Sequence, residues 1–281
     1  MTIVGGPLSA VPDWYHAVGT LLALGSGLFI GVSLILQKKG LLDTEPLAAE
    51  TGNEHAYLKS RTWWLGMLFM AIGELSNLAA YAFSPAIIVT PLGAVSVIVS
   101  AILSVFFLNE KLNFSGVCGL ILCIIGSTII VFHGPTSTAT QTIPEFYDAV
   151  LRPGFICYAI FSAILLVWLV VYIAPLYGKT QPVVYLSITS IGGAFLVNAA
   201  QGFGSSIVYT TRHWEDDNQF RYWGFYPLTA FIGLSAVFQI HYLNLSLLYF
   251  SNSIVTPVNY VFFASFTIIT SAVLYQGFND F

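Results

Sequence analysis

One stretch of this chain occurs twice. Residues 77–91 read NLAAYAFSPAIIVTP, and residues 244–257 read NLSLLYFSNSIVTP. With one residue of slack, Asn77 aligns with Asn244, Phe83-Ser84 with Phe250-Ser251, and Val89-Thr90-Pro91 with Val255-Thr256-Pro257. Each copy then enters a similar apolar segment, AVSVIVSAILS in the first and NYVFFASFTIITSAVL in the second. Apolar chains built from two such halves are most often secondary transporters. Their corresponding proline-broken helices point to the binding site.

Charge decides the surroundings. Only 8% of residues are charged, 57% are hydrophobic, and the mean hydropathy is +0.81. A soluble domain carries about 25% charge. This chain cannot cover its surface with polar groups and must lie in lipid. Crossing a bilayer takes about 20 apolar residues, and eight runs qualify: 16–37, 62–84, 86–108, 114–133, 154–174, 183–208, 224–248 and 253–276. The second and third, and the seventh and eighth, are so closely linked that each pair must form a tight antiparallel hairpin. The N-terminus lacks the basic region of a cleavable signal peptide.

The same composition excludes other classes. No dense basic patch exists for nucleic acid. Cys118, Cys123 and Cys157 all lie in apolar runs without metal-ligand spacing and read as small packing residues. No nucleophile motif or phosphate-binding loop appears, so the chain is not read as an enzyme and calls for no cofactor. Glycines at GxxxG-like spacing read as helix-packing positions. No feature fixes an oligomeric state.

Lysine and arginine set the orientation. Lys38, Lys39, Lys59, Arg61, Lys111 and Lys179 fall on one side, taken as cytoplasmic, and Arg152, Arg212 and Arg221 on the other. The N-terminal tail, residues 1–15, then faces outward or into a lumen. The acidic stretch Glu215-Asp216-Asp217 faces the same way and reads as a solvated loop. Span two matches span seven and span three matches span eight. That odd offset inverts the halves in the membrane. The first half is 16–133, the linker helix 154–174, and the second half 183–281, which has no counterpart to span four. The expected fold is therefore all-α and polytopic, an inverted repeat with a central cavity.

Polar groups inside spans are costly and mark function. Glu74 lies mid-span in MAIGELSNLAAY, and Asn77, three residues on, shares its helical face. Gly73 permits close approach of another helix. Glu74 reads as a cation or proton site. Pro91 and Pro257 free the carbonyls of Ile87 and Ser253, so Thr90 and Thr256 border backbone oxygens that need partners. Asn198, Gln201, Gln239, His241, Asn244 and Asn259 each read more readily as interhelical hydrogen-bonding residues. Of these, Asn244 is kept as a site residue because it repeats Asn77. Glu110, at a span end, reads as an interfacial anchor or a partner of Lys111. Trp14, Trp63, Trp64 and Trp223 read as interfacial anchors.

The segment GELSNLAAYAFSPAIIVTPLGAVSVIVSAILSVFFLNEKLN is very similar to the signature of the NIPA family of magnesium transporters, within the drug/metabolite transporter superfamily. FIGVSLILQKKGLL, GSTIIVFHGP, PLYGKTQPVVYLSI, QGFGSSI and SNSIVTPVNYVFFASFTIITSAVL extend the resemblance over nearly the whole chain. It implies magnesium transport, residence in plasma membrane and early endosomes, and a further C-terminal span that this chain lacks. It assigns no ion ligands.

The reading is Mg²⁺ transport toward the cytoplasm. Glu74 is the principal ligand, and Asn77, Thr90, Asn244 and Thr256 line the site. Mg²⁺ takes oxygen ligands, sheds water reluctantly, and is usually held by one or two carboxylates with several waters retained. A lone Glu74 suits that hydrated ion. The rivals are a proton-coupled transporter of a small organic metabolite, marked by dependence on a pH gradient, and a non-transporting membrane scaffold or trafficking protein, marked by tolerance of Glu74 replacement.

Overall fold

In a bilayer every backbone N–H and C=O must be paired within the chain, which leaves helices as the solution for long apolar segments. The computed structural model follows that rule. It describes residues 13–51, 56–83, 89, 91–110, 114–133, 142–212, 214 and 217–275, and among these there is no strand.

The helices are α1 (Asp13–Thr51), α2 (Arg61–Phe83), α3 (Ala94–Phe107), α4 (Phe114–His133), the short α5 (Ile143–Val150), α6 (Pro153–Tyr177, with a π turn at Leu169–Ile173), α7 (Pro182–Arg212), α8 (Phe225–Tyr249) and α9 (Asn252–Tyr275). Five stretches are long and apolar enough to cross a membrane: Ala17–Thr44, α6, Pro182–Thr211, α8 and α9. Shorter apolar stretches occupy Ala94–Phe107 in α3 and Val117–Ile129 in α4. The sequence reading contains no counterpart to α5, which is too short to span. Thr142 and Glu145 close its N-terminus in a reciprocal capping box.

α1 packs against α2 and α3, and α7 against α8 and α9. The two groups meet where α2 touches α7, α1 touches α8, and α3 touches α9. α6 lies at the periphery, its apolar side chains mostly exposed. Glycine makes the α1–α2 and α1–α3 contacts close. A Cβ on Gly73 would stand 2.7 Å from Ile30 Cγ1 and 3.2 Å from the Ser26 carbonyl oxygen. One on Gly31 would stand 2.7 Å from Val99 Cβ. The reading of Gly73 as a close-approach position thus has α1 as its partner.

Two charged residues depart from expectation. Lys38 was placed in a loop after a span ending at 37. Instead α1 runs on to Thr51 and Lys38 is 6% exposed within it. The helix continues because the ammonium finds acceptors at the end of α8: Nζ donates to the Leu247 carbonyl and, at 2.9 Å, to the Phe250 carbonyl. Glu110 was expected to anchor at the interface or pair with Lys111, which lies outside the described residues. Its carboxylate instead accepts from the Asn252 N–H at 3.0 Å, the Ser253 N–H at 2.8 Å and the Ser253 hydroxyl at 2.7 Å. The two N–H groups belong to the first turn of α9, whose donors lack partners within the helix and are well satisfied by a carboxylate.

Candidate functional site

Between the two helix groups lies a cavity of about 480 Å³. α1, α2 and α3 supply one side of its lining and α7, α8 and α9 the other. Most of the wall is apolar, including Ile30, Leu34, Val97, Leu196 and Phe263. Glu74 is the single carboxylate among the described lining residues. The contact of Gly73 with α1 sets the facing of α2, and Glu74 lines this space. Asn77 hydrogen-bonds Glu74, and its Oδ1 accepts from the Ser26 hydroxyl at 3.4 Å. The i, i+3 spacing of Glu74 and Asn77 thus gives one polar spot on an apolar wall.

Thr256 reaches the lining from α9. Its hydroxyl donates to Asn252 Oδ1 at 2.9 Å and sits 3.2 Å from the Ser100 hydroxyl, to which Asn252 Nδ2 donates at 2.8 Å. Nearby, the Tyr260 hydroxyl donates to the Pro91 carbonyl at 2.8 Å and pairs with the Ser127 hydroxyl at 2.6 Å. That pair ties α9 to α4 and to the start of α3. Thr90 and Ile87 lie outside the described residues.

Asn244 does not line the cavity. Its neighbour Leu243 does, and one residue turns a helix by about 100°. Asn244 therefore points toward the start of α2, where its Oδ1 accepts from Trp63 Nε1 at 3.3 Å. Both are buried, at 3% and 4% exposure. This corrects two expectations, the ligand role of Asn244 and the interfacial role of Trp63. Trp64 and Trp223 are exposed. We expect Asn244→Leu to lower stability in detergent by about 1–3 kcal/mol, since it leaves a buried indole N–H unpaired. Ion affinity should be unchanged by equilibrium titration, whereas a ligand role would weaken it.

Two lining residues were undervalued in the sequence. Gln239 from α8 and Asn259 from α9 both border the cavity. Asn259 Oδ1 is buried with no hydrogen-bond partner among the described residues, which is costly unless a water or ion answers it. The available signal was spacing: Asn259 follows Thr256 by three and so shares its helical face. His241 is exposed and absent from the lining, its ring against Tyr242. Among the described residues no three His, Cys, Asp or Glu side chains come together. The chemistry on offer is one carboxyl group with amide and hydroxyl oxygens around it.

A helical membrane protein with an apolar cavity between two helix groups and one carboxylate inside it has the build of an integral membrane transporter. The profile described as "Magnesium transporter NIPA" matches residues 14–281. The chain is 44% identical over 261 residues to magnesium transporter NIPA3 of Pongo abelii, covering 92% of this chain and 63% of that protein. It is 39% identical to a probable magnesium transporter NIPA1 of Arabidopsis thaliana, covering 92% and 76%. Against a probable magnesium transporter of Candida albicans it is 40% identical, covering 93% and 71%. The chain belongs to the NIPA magnesium transporter family, a family of transporters and not of enzymes. It spans just under two thirds of the length of the first of these relatives. No solved structure matches it significantly.

Proposed function

We propose that this chain carries Mg²⁺ through the cavity between α1–α3 and α7–α9, toward the cytoplasm, with Glu74 as principal ligand. The observation that carries the proposal is the lone carboxylate of Glu74 opening onto a cavity of about 480 Å³. Six waters at ~30 Å³ each need about 180 Å³, so a hydrated ion fits. Mg²⁺ gives up water reluctantly and is commonly held by one or two carboxylates with waters retained. Asn77 lines the cavity from α2, with Gln239 of α8 and Thr256 and Asn259 of α9 on the other side. Thr90 stays in the proposal by its place in the repeat.

The contact pattern supports a repeat of three helices, and its inversion is inferred from the odd offset of the matching spans. α1 relates to α2 and α3 as α7 relates to α8 and α9. The first half in this reading, 16–133, holds nearly all of α1 and the whole of α2–α4, α6 is the linker, and 183–281 is the second half. Eight spans follow when α2, α3 and α4 join the five long apolar helices. The Lys and Arg distribution supports an outward N-terminus. Plasma membrane and early endosome are the proposed locations.

The test is Mg²⁺ uptake into proteoliposomes, read with an entrapped indicator. Uptake driven by a Mg²⁺ gradient without a pH gradient is the expected result. Flux of a small organic metabolite that requires a pH gradient, with no Mg²⁺ uptake, would favour the metabolite-transporter reading. No flux of either from folded protein would favour the scaffold.

A further inference from the structure

The turn between α8 and α9 is only two residues, Phe250 and Ser251. It brings together the negative end of one helix dipole and the positive end of another. Each end is met by a charge of opposite sign from the first half of the chain. Lys38 of α1 donates to the Leu247 carbonyl in the last turn of α8 and to the Phe250 carbonyl of the turn itself. Glu110, between α3 and α4, accepts from the first donors of α9. Asn109 takes a left-handed φ of 52° just before Glu110 and turns the chain back, so that the Glu110 N–H bonds the Ser104 carbonyl at 3.3 Å. Burial by itself raises the Glu110 carboxyl. The hydrogen bonds from Ser253, Ser251 and Asn252 outweigh it and hold the group below the usual carboxylate range.

The same turn adjoins an apolar cluster that borders the cavity. Leu34, Met70 and Leu243 line the cavity and pack with Leu41, Trp63, Leu247 and Val255 in one apolar cluster. Leu247 and Val255 sit at 0% exposure. They flank the turn, and Lys38 holds the Leu247 carbonyl directly. On the α9 side, Asn252 is linked to cavity-lining Thr256 directly and through Ser100, and Ser253 Oγ lies 3.3 Å from Ser104 Oγ. The contacts that hold the turn down therefore run without a break to the cavity wall.

We propose that the α8–α9 turn is the gate at this end of the cavity, and that Lys38 and Glu110 are the positioning residues that latch it shut. Opening separates the turn from α1 and from the α3–α4 connection, draws Leu247 and Val255 out of that cluster, and exposes the cavity to the side that the basic residues assign to the cytoplasm. The proposal rests on the transport reading only for the identity of the cargo.

The experiment uses the full chain with Cys118, Cys123 and Cys157 replaced by Ser and a reporter substitution, Ala236→Cys, on the cavity wall. A membrane-impermeant methanethiosulfonate reagent is applied in sealed vesicles from the side of the turn. Labelling is expected to be slow in this parent. It should quicken about tenfold in Glu110→Gln and in Lys38→Met, the factor that loss of a charge-assisted hydrogen bond gives. Unchanged labelling in both variants, with parental elution and helical content, would overturn the proposal. A second arm keeps Lys38 and Glu110 intact. Ser104→Cys with Ser253→Cys, oxidised to a disulfide, should abolish reporter labelling from that side and reverse on reduction. Labelling that persists under the cross-link would also overturn it. Labelling needs no Mg²⁺, so failure of the gate and failure of the magnesium reading are separate results.

Discussion

Replacing Glu74 by Gln is expected to cut Mg²⁺ flux by about thirtyfold or more while leaving the fold intact. A divalent cation about 4 Å from a carboxylate gains roughly 8 kcal/mol of gross attraction at an effective dielectric near 20. Partial dehydration of the ion and the carboxylate offsets most of it. If about a quarter survives as net binding, its loss is about thirtyfold. Gln preserves the shape of Glu74 and can still hydrogen-bond Asn77, so only the charge is removed. The measurement is initial Mg²⁺ uptake in proteoliposomes, with elution profile and helical circular dichroism as controls for folding. Glu74→Asp, which retains the charge on a shorter arm, should keep part of the flux. Wild-type flux in Glu74→Gln would remove Glu74 from the ion's path and with it the central assignment.

The largest effect on stability is expected at Gly40. A Cβ there would lie 2.6 Å from the Trp63 backbone nitrogen, 2.7 Å from its Cβ and 2.8 Å from its Cα. None of these atoms can rotate away, so α1 and α2 would have to separate. Trp63 in turn packs on Tyr57 at 4.9 Å between ring centroids and donates to Asn244. We expect Gly40→Leu to cost about 3 kcal/mol, the upper range for overpacking, seen as a lowered thermal transition in detergent. Gly25→Ala serves as the contrast. Nothing lies within 4 Å of its added Cβ, and alanine favours helix over glycine by up to about 1 kcal/mol. Equal effects at the two positions would show that close packing of α1 on α2 contributes little.

Much of this protein is fixed by its sequence. Long apolar runs with few charges leave the backbone no partner but itself, so helices at those positions follow from the solvent alone. Glu74 and Asn77 could be paired because a helix places i and i+3 on one face, and both line the cavity. Thr256 was singled out for a different local reason, its place beside Pro257 in the repeat, and it too lines the cavity. Where the reading failed, the deciding partner lay far away in sequence. Asn244 matches Asn77 in the repeat, yet Trp63 of α2 engages it. Lys38 looked like a loop cation until carbonyls at the end of α8 met it, and Glu110 looked like an anchor until α9 offered three donors. A single sequence determines what each residue needs, whether a bilayer, a partner for a charge, or room for a close helix. Which distant group meets that need is decided only when the helices pack, because that depends on facing directions and separations that no local pattern contains.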